Sequence, residues 1–428
     1  MMATNGSPGV NAIGNGSSSY SSRRRDRPRV AILSLHTSPL AQPGTGDGGG
    51  MNVYVREFAS AMASDDVSCR VYVRRYRHDL PTVVDVEPGF RVVHVEAGPT
   101  HLEKDELGLY TEAFAQGVSA DLVDFQPDVI HANYWLSGAA GRLLKQEHCL
   151  PLVTTFHTLA RVKAELGDPE PERRARAEAE VMGCADAVLA NCTAEAEQLR
   201  EYYGTDPDRI EVVAPGVDHA FFSPGSQAGA RWALGTDDRP LLLYVGRIQP
   251  LKGVDVAVET LANIERQDAR LWIVGGASGN SGEGEVDRVR QLIVKHGLES
   301  RVRFVPPVPH HLLSTYYRAA DVCLVPSRSE SFGLVALEAA ACGVPTVASA
   351  VGGLITLVEH GYTGYLVESR DPKQYASYVD GILADPVLAR RLAVSAAARG
   401  RTYTWSRSAA RLHRLYSDLA TRTLTPCK

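Results

Sequence analysis

The chain has 428 residues, more than one hydrophobic core usually organises, so its length favours two domains. Hydrophobic residues make up 44% and charged residues 22%, which is typical of a globular protein. The net charge of −5 argues against a nucleic-acid partner, because the basic run Arg23–Arg25 lies in a polar leader and no basic domain follows it.

Residues 1–27 are rich in Gly, Ser and Asn, which predicts a flexible leader and not a signal peptide. No apolar stretch reaches about 18 residues, so we expect no integral membrane segment. The seven cysteines are scattered, without a CxxC pair or histidines at zinc-finger spacing. They predict reduced thiols in a cytoplasmic protein that has no metal site.

From residue 28 onward, short β-branched runs alternate with helical patterns such as 51–63 and 170–183. Short apolar runs of this kind are typical of parallel strands that helices cover on both faces. The alternation therefore predicts a doubly wound α/β domain over 28–215. The strands expected in it are 29–35, 68–74, 91–95, 128–132, 152–156, 186–190 and 210–214.

The segment PGVDHAFFSPG interrupts this alternation of strands and helices and predicts a linker over 216–238. A second α/β domain is expected over 239–403, with strands at 241–245, 270–276, 301–305, 321–325 and in PTVAS from Pro345. Residues 404–428 should hold an amphipathic helix, and the sequence leaves open whether it returns to the N-terminal domain. Ligands of such sheets bind beyond the carboxyl ends of the strands, so the two domains should face one cleft.

The segment SRSESFGLVALEAAACGVP, 327–345, places Glu330 and Glu338 around the start of a helix. Eight helical residues rise about 12 Å, roughly the reach from a sugar across a diphosphate to a ribose. The free N–H groups near Phe332–Leu334 and the helix dipole suit a diphosphate. Taken alone, the segment could equally be a capped helix whose glutamates face water.

The segment YVGRIQPLKG, 244–253, places Arg247 and Lys252 just after an expected strand. Two cations in that position could neutralise the charge of a departing diphosphate. In isolation they could also be solvated surface residues. Their combination with the two glutamates some 80 residues further on favours a site.

VGRIQPLKG, PSRSESFGLVALEAAACGVPTVAS and VGG (351–353) together resemble the retaining family-4 glycosyltransferases, whose GT-B fold has two Rossmann-like domains facing a cleft. The resemblance covers residues 29 to 420. It implies that Arg247 and Lys252 hold the donor diphosphate, that Glu330 contacts the sugar and that Glu338 contacts the ribose. It further implies a main-chain contact of Pro307–Val308 with the base and donor-binding residues at Gln42, Pro43, Gly50, Ser331, Phe332, Gly333 and Leu334.

The loop SLHTSPLAQPGTGDGGGMNVYV, 34–55, is rich in glycine, which lets the backbone approach a ligand closely. Its GTGDGG, 44–49, fits the dinucleotide pattern G-x-G-x-x-G. We discount that match because it begins nine residues after the expected strand. The next expected strand also ends in Val73–Arg74, without an acidic residue for a ribose. An NAD-dependent oxidoreductase is therefore disfavoured.

The same loop, HANYWLSG (131–138) and FHTLARVK (156–163) resemble the D-inositol-3-phosphate glycosyltransferases, which begin mycothiol synthesis and use UDP-N-acetylglucosamine. The resemblance implies an acceptor phosphate bound by Asn52, Lys104, Tyr134, Thr158 and Arg174, all side chains that can hydrogen-bond or neutralise phosphate. Singly, Lys104 and Arg174 could be exposed charges and Tyr134 a strand-end aromatic. The Arg174 assignment could also shift to Arg173 or Arg176.

Further positions near the acceptor are implied at His36, Asp47, Gly48, Gly49 and Met51. His157 is implied to lie under the donor sugar, although alone it could be a core histidine. Asn133 departs from the pattern, because those enzymes usually carry a second histidine there.

The expected activity is a retaining hexosyl transfer in which His157, Arg247, Lys252 and Glu330 are catalytic. No cofactor or magnesium ion is implied, because two cationic side chains supply the positive charge. No Asp or Glu of the N-terminal half lies in a motif suited to a nucleophile, and Asp47 is the only loop candidate. The resemblance implies instead a same-face reaction in which an oxygen of the departing diphosphate takes the proton of the acceptor hydroxyl. Alternatives are a related enzyme with another nucleotide sugar or acceptor (a glycan, a secondary metabolite or a sucrose-phosphate type), a sugar-nucleotide epimerase and a non-catalytic binding protein. The sequence leaves open a homodimer.

Overall fold

A computed structural model describes residues 27–44, 48–168, 170–278 and 282–427. Most of the expected leader lies outside these residues. Among them, no helix is both long and apolar enough to cross a membrane.

The N-terminal domain is built on a sheet that contains eight strands within the described residues, in the order β3-β4-β2-β1-β5-β6-β7-β8. Neighbouring strands are parallel, except that β3 and β4 run antiparallel. The strands are β1 Arg29–Leu33, β2 Ser68–Arg74, β3 Val83–Glu87, β4 Phe90–Val95, β5 Val129–Asn133, β6 Leu152–Thr155, β7 Ala187–Ala190 and β8 Ile210–Val212.

Helices cover both faces of this sheet, and two apolar clusters fill the space between helices and strands. The helices are α1 Gly50–Ser64, α2 Thr111–Phe125, α3 Trp135–His148, α4 Ala160–Glu165, α5 Glu172–Cys184 and α6 Thr193–Tyr203. The central strands are buried along their length, which explains why continuous apolar runs predicted them.

The C-terminal domain has a parallel sheet with six strands among the described residues, in the order β11-β10-β9-β12-β13-β14. The strands are β9 Leu241–Val245, β10 Arg270–Val274, β11 Val302–Val305, β12 Val322–Val325, β13 Thr346–Ser349 and β14 Gly364–Val367. The helices of the second half of the chain are α7 Gln227–Ala233, α8 Val254–Asn263, α9 Gly282–Lys295, α10 Leu313–Ala319, α11 Leu334–Ala341, α12 Leu354–Leu357, α13 Pro372–Ala384, α14 Pro386–Gly400 and, after the C-terminal domain, α15 Trp405–Leu419.

The predicted fold class, two doubly wound α/β domains, is confirmed. The sequence did not predict β3 or β14, which are edge strands. β3 alternates Val with acidic residues and is partly exposed, and β14 is four residues long and begins with Gly364. Neither forms the long apolar run that marked the central strands. Within the expected linker 216–238, the chain forms the helix α7.

The last helix, α15, leaves the C-terminal domain and packs on the N-terminal sheet. Leu412 is fully buried in the core formed with α1, and the hydroxyl of Tyr416 lies 2.8 Å from Nδ1 of His131 in β5. The chain therefore crosses between the domains twice. At the crossing, a Cβ on Gly216 would lie 2.1 Å from the backbone nitrogen of Trp405, so the two connections are in direct contact.

The expectation of unpaired cysteines is wrong for two of them. Cys184, at the end of α5, forms a disulfide with Cys427 in the C-terminal tail. The backbone amide of Thr425 donates to Oδ1 of Asp186 at 2.6 Å and also ties the tail to the N-terminal domain. These partners are 243 residues apart, so local spacing could not indicate the pair. The other five cysteines of the described chain are free thiols.

The packing of α15 gives a stability prediction. Replacing Leu412, which is 0% exposed, with Ala should lower the free energy of unfolding by about 2–5 kcal/mol, because it removes buried apolar volume. Chemical denaturation measures the change. Arg414→Ala on the exposed face of the same helix is the matched control and should change it by less than about 0.5 kcal/mol. Equal effects of the two substitutions would contradict this packing.

Candidate active site

A cavity of about 1020 Å³ lies between the two domains. Residues that follow β1, β5 and β6 form one wall, and residues that follow β9 and β12 form the other. The carboxyl ends of both sheets thus face the same gap, as in other open parallel sheets that bind ligands. A ligand on one wall would be within reach of a ligand on the other.

Glu330, in the loop after β12, lies on the C-terminal wall in direct contact with a cation. Its Oε1 accepts a short hydrogen bond from Nζ of Lys252 and a second, of 3.0 Å, from Oγ of Ser327. The side chains of Lys252 and Glu330 are 26% and 14% exposed, so the pair remains open to the cavity. The charges of this wall are therefore arranged as a close ion pair.

Glycines of the loop after β13 hold the backbone of Glu330. The amide of Gly353 donates to the carbonyl of Glu330 at 3.0 Å. A Cβ on Gly352, whose φ is +47°, would lie only 1.9 Å from that carbonyl oxygen. The VGG segment is thus required by close backbone packing beneath the glutamate.

Arg247, just after β9, reaches from the C-terminal wall to the glycine-rich loop of the other domain. Its Nη1 donates to Oγ of Ser278 at 3.3 Å, and its carbonyl accepts from the hydroxyl of Tyr244 at 3.1 Å. A Cβ on Gly49 would lie 3.2 Å from Nε of Arg247. The guanidinium therefore lies at the meeting point of the two walls.

Glu338 lies one helical turn inside α11 and is almost fully buried. Its Oε1 accepts from Nε2 of His310 at 2.7 Å, and its Oε2 accepts from the hydroxyl of Tyr317 at 2.8 Å. Burial alone would lower the pKa of His310, but the charge of Glu338, the hydrogen bond to it and the charges of Glu57 and Asp218 together raise this pKa above its ordinary value. The buried carboxylate thus has a donor on each oxygen.

The glycine-rich loop contacts both domains. The side-chain amide of Gln42 donates a short hydrogen bond to the carbonyl of Val308, and Gly44 packs on Pro307. The side chain of Asn52 accepts from the amide of Gly49 and donates to the carbonyl of Ser38, so its amide shapes the loop. Asp47 lies outside the described residues.

The ring of Tyr134 is the centre of the N-terminal wall. The imidazole of His36 lies 4.4 Å from it, Nζ of Lys104 lies 5.3 Å from it and Cζ of Arg174 lies 5.0 Å from it. Two cations within about 6 Å of one aromatic ring are in cation–π range. Burial, then the charge of Lys104 and those of Arg174 and Arg247, keep the pKa of His36 well below its ordinary value.

Arg174 is buried and its guanidinium is shared among several acceptors. It bonds the carboxylates of Glu170 and Glu178 at 2.8 Å each, and it donates to both the carbonyl and the hydroxyl of Thr158 at 2.9 Å. Lys104 is exposed at the mouth of the cavity. Arg173 also lines the cavity.

His157 follows β6 in a strained conformation. Its φ is 62°, a region that residues other than glycine rarely adopt, and Tyr134 has a φ of 75°. Nε2 of His157 lies 2.9 Å from Oδ1 of Asn133, and the ring meets the edge of Tyr54. Burial lowers the pKa of His157 to about 3, so the imidazole is neutral.

Most of the predicted positions share this cavity. Those that line it are His36, Pro43, Gly49, Gly50, Met51, Lys104, Tyr134, His157, Thr158, Arg174, Arg247, Lys252, Val308, Glu330, Ser331, Phe332, Gly333, Leu334 and Glu338. Among the described residues predicted for the site, Gln42, Gly48 and Asn52 are not part of the lining. Gln42 and Asn52 instead hold the glycine-rich loop.

Sequence reasoning missed several groups. His310 and Tyr317 bond Glu338, and Asn133 bonds His157. Glu195 is a cavity-lining carboxylate of the N-terminal domain whose pKa burial raises to about 7, and it accepts from the amide of Asn191 at 2.6 Å. His310 had a signal, since it lies in a connection that follows a strand and such connections face the cleft, and Asn133 stands in a motif at a strand end.

Two family models match the chain. "Glycosyl transferase 4-like domain" matches residues 49–216, and "Glycosyl transferases group 1" matches residues 227–400. A D-inositol 3-phosphate glycosyltransferase of Acidothermus cellulolyticus is 46% identical over 405 residues, with 91% of this chain and 90% of that protein covered. One from Xylanimonas cellulosilytica is also 46% identical, with 92% and 98% covered.

Among solved structures, a sucrose-phosphate synthase from Thermosynechococcus elongatus is 33% identical. Its TM-score is 0.87, and the match covers 92% of this chain and 99% of that one. HepE of Anabaena, crystallised with UDP and glucose, has a TM-score of 0.75 at 20% identity, with 92% and 100% covered, and so supports the fold alone.

These matches agree with the GT-B fold and with a cleft that has cations and carboxylates on one wall. The protein is therefore a glycosyltransferase, which confirms the predicted class of enzyme. At this identity over nine-tenths of both chains, the chain belongs to the family of the D-inositol 3-phosphate glycosyltransferases.

The packing beneath Glu330 gives a test by substitution. Gly352→Ala should lower the rate of sugar transfer about 100-fold, because the new Cβ must displace the backbone of Glu330 and small misplacements of this kind are costly. Steady-state kinetics measures the loss.

Gly361→Ala is the matched control. Gly361 also has a positive φ, of +76°, but no atom lies within 4 Å of an added Cβ. This variant should bear the backbone strain and keep its transfer rate within a few-fold. A similar loss in both variants would mean that strain, and not the contact with Glu330, matters.

Proposed function

We propose that this enzyme transfers N-acetylglucosamine from UDP-N-acetylglucosamine to 1D-myo-inositol 3-phosphate with retention of configuration. The observation that carries the proposal is the arrangement of the cleft, in which Arg247, Lys252 and Glu330 on one wall face Lys104 and Arg174 on the other. The names of the most similar curated relatives support the acceptor.

In the proposed donor complex, Arg247, Lys252 and the start of α11 bind the diphosphate. Each supplies positive charge or N–H donors to a group that becomes more negative as it leaves. Glu330, already bonded to Lys252, accepts from hydroxyls of the sugar, and Glu338 accepts from the ribose. The ion pair thus marks the junction between sugar and diphosphate.

The proposed acceptor site lies around Tyr134. Lys104 supplies a positive charge that no carboxylate in direct contact offsets among the described residues, whereas Arg174 is shared with Glu170 and Glu178. We infer that Lys104 makes the stronger contribution to a phosphate and that Arg174 orients Thr158 beside it. Neutral His36 and His157 can each bond a hydroxyl group.

The proposed reaction proceeds on one face of the sugar. The bond from the anomeric carbon to the diphosphate oxygen breaks, and its electron pair stays on that oxygen. The acceptor hydroxyl oxygen then bonds to the same face of the carbon, and its proton passes to the departing oxygen. Arg247 and Lys252 stabilise the growing negative charge, so the proposal requires no metal ion.

A second candidate, transfer of the sucrose-phosphate synthase type, is favoured by the match at 33% identity and a TM-score of 0.87. The two candidates differ in acceptor and can be compared directly in one assay.

A donor-by-acceptor screen tests the proposal. UDP-N-acetylglucosamine and UDP-glucose are each combined with inositol 3-phosphate, inositol and fructose 6-phosphate, and the product is followed by mass spectrometry. We expect product with the first donor and inositol 3-phosphate, and its anomeric proton in the NMR spectrum should report retention. Turnover of fructose 6-phosphate alone would favour the second candidate, and an inverted product would overturn the mechanism.

The role of Lys252 gives a quantitative prediction. Lys252→Ala should lower kcat/KM about 100- to 1000-fold, because it removes a preorganised cation from the leaving group. Lys295→Ala, at an exposed lysine on α9, is the control for loss of a positive charge and should retain the native rate. If Lys252→Ala stays within a few-fold of the native enzyme, Lys252 does not stabilise the leaving diphosphate.

A further inference from the structure

The carboxylate of Glu338 is fixed by two side chains from a different segment of the C-terminal domain. His310 precedes α10 and Tyr317 lies within it, whereas Glu338 lies on α11. Each partner bonds a different oxygen, at 2.7 Å and 2.8 Å. The plane of the carboxylate is therefore set by α10 together with the turn that precedes it.

The two partners differ in their environment. Tyr317 is 0% exposed, and burial followed by the charge of Glu338 raises the pKa of its phenol well above the ordinary value, so the hydroxyl remains a donor. The side chain of His310 is 22% exposed and lines the cavity beside Glu338. Only the histidine is accessible from the cleft.

His310 also lies where the two domains meet. Its ring is 5.0 Å from that of Phe222 in the connection between the domains. Burial disfavours the protonated form of His310. Glu338 favours that form, and so do the charges of Glu57 on α1 and Asp218 in the same connection, with the result that the pKa is raised. Carboxylates from both domains thus support an imidazolium that donates to Glu338.

A carboxylate held in this way suits a vicinal diol. Each carboxylate oxygen has more than one acceptor site, so each can take a hydroxyl in addition to its present donor. Two oxygens fixed in one plane match the two adjacent hydroxyls of a ribose. A freely rotating carboxylate would have to be ordered at the moment of binding, which costs affinity.

We propose that His310 and Tyr317 are positioning residues that hold both oxygens of Glu338 toward the ribose hydroxyls of the nucleotide donor. This inference rests on the proposed contact of Glu338 with the ribose. It makes α10 part of the donor site, although Tyr317 does not touch the nucleotide. The competing explanation is that the two bonds only satisfy a buried charge and serve stability.

Calorimetric titration of the full chain with UDP and with 2′,3′-dideoxy-UDP separates these explanations. Tyr317→Phe removes one hydroxyl and keeps the ring. It should weaken UDP binding about 10-fold, the effect of one lost hydrogen bond to a charged group, and leave dideoxy-UDP binding within about 2-fold. Equal weakening of both nucleotides, or unchanged UDP binding, would overturn the inference.

A histidine series supplies a second measurement at a partly exposed position. His310→Ala should weaken UDP binding by a similar factor, and His310→Gln, which keeps a donor, should restore part of it. Tyr316→Phe on the same helix and His311→Gln beside His310 are matched controls that should bind both nucleotides as the native chain does. The histidine series decides the question if Tyr317→Phe does not fold. Failure of glutamine to restore any affinity would overturn the role of His310.

The native chain distinguishes this inference from the function on which it rests. If it binds UDP more tightly than dideoxy-UDP but the variants weaken both alike, only the positioning role fails. If it binds no UDP, the proposed donor fails and the inference fails with it.

Discussion

Glu330 connects three loops of the C-terminal domain through its carboxylate and its backbone. It accepts from Lys252 after β9 and from Ser327 after β12, and its backbone rests on the glycines that follow β13. Each loop leaves a different strand, so the register of the parallel sheet fixes the position of this one group. Because a partly buried charge is costly without its partner, the ion pair also favours one arrangement of the loops.

The N-terminal wall of the cavity has a different distribution of charge. Arg174 shares its guanidinium with two carboxylates, whereas burial keeps His157 neutral and the pKa of His36 low. The exposed cations of this wall are Lys104 and Arg173, whereas the two histidines present uncharged donors and acceptors to the cavity. Exposed cations would attract an anionic ligand, and the neutral imidazoles could then bond its hydroxyl groups.

The sequence predicted the central strands and the residues that follow them, because both the apolar runs and the strand-end motifs are local patterns. Tyr317 could not be found in this way. A tyrosine inside an amphipathic helix resembles a core residue, and only the packing of α10 on α11 brings its hydroxyl to Glu338. Asn52 differs from its expected role. Its side-chain amide, expected to bind a ligand, bonds the backbone of the glycine-rich loop.

The two connections between the domains lie side by side, where Gly216 touches the backbone of Trp405 and Tyr403 accepts from the amide of Val217. Two connections in contact restrain the orientation of the domains more than a single linker would. The tail beyond α15, fastened through Cys427, keeps the second connection in place. Two connections that touch, one of them followed by a tail bonded to the N-terminal domain, therefore limit twisting of one domain on the other.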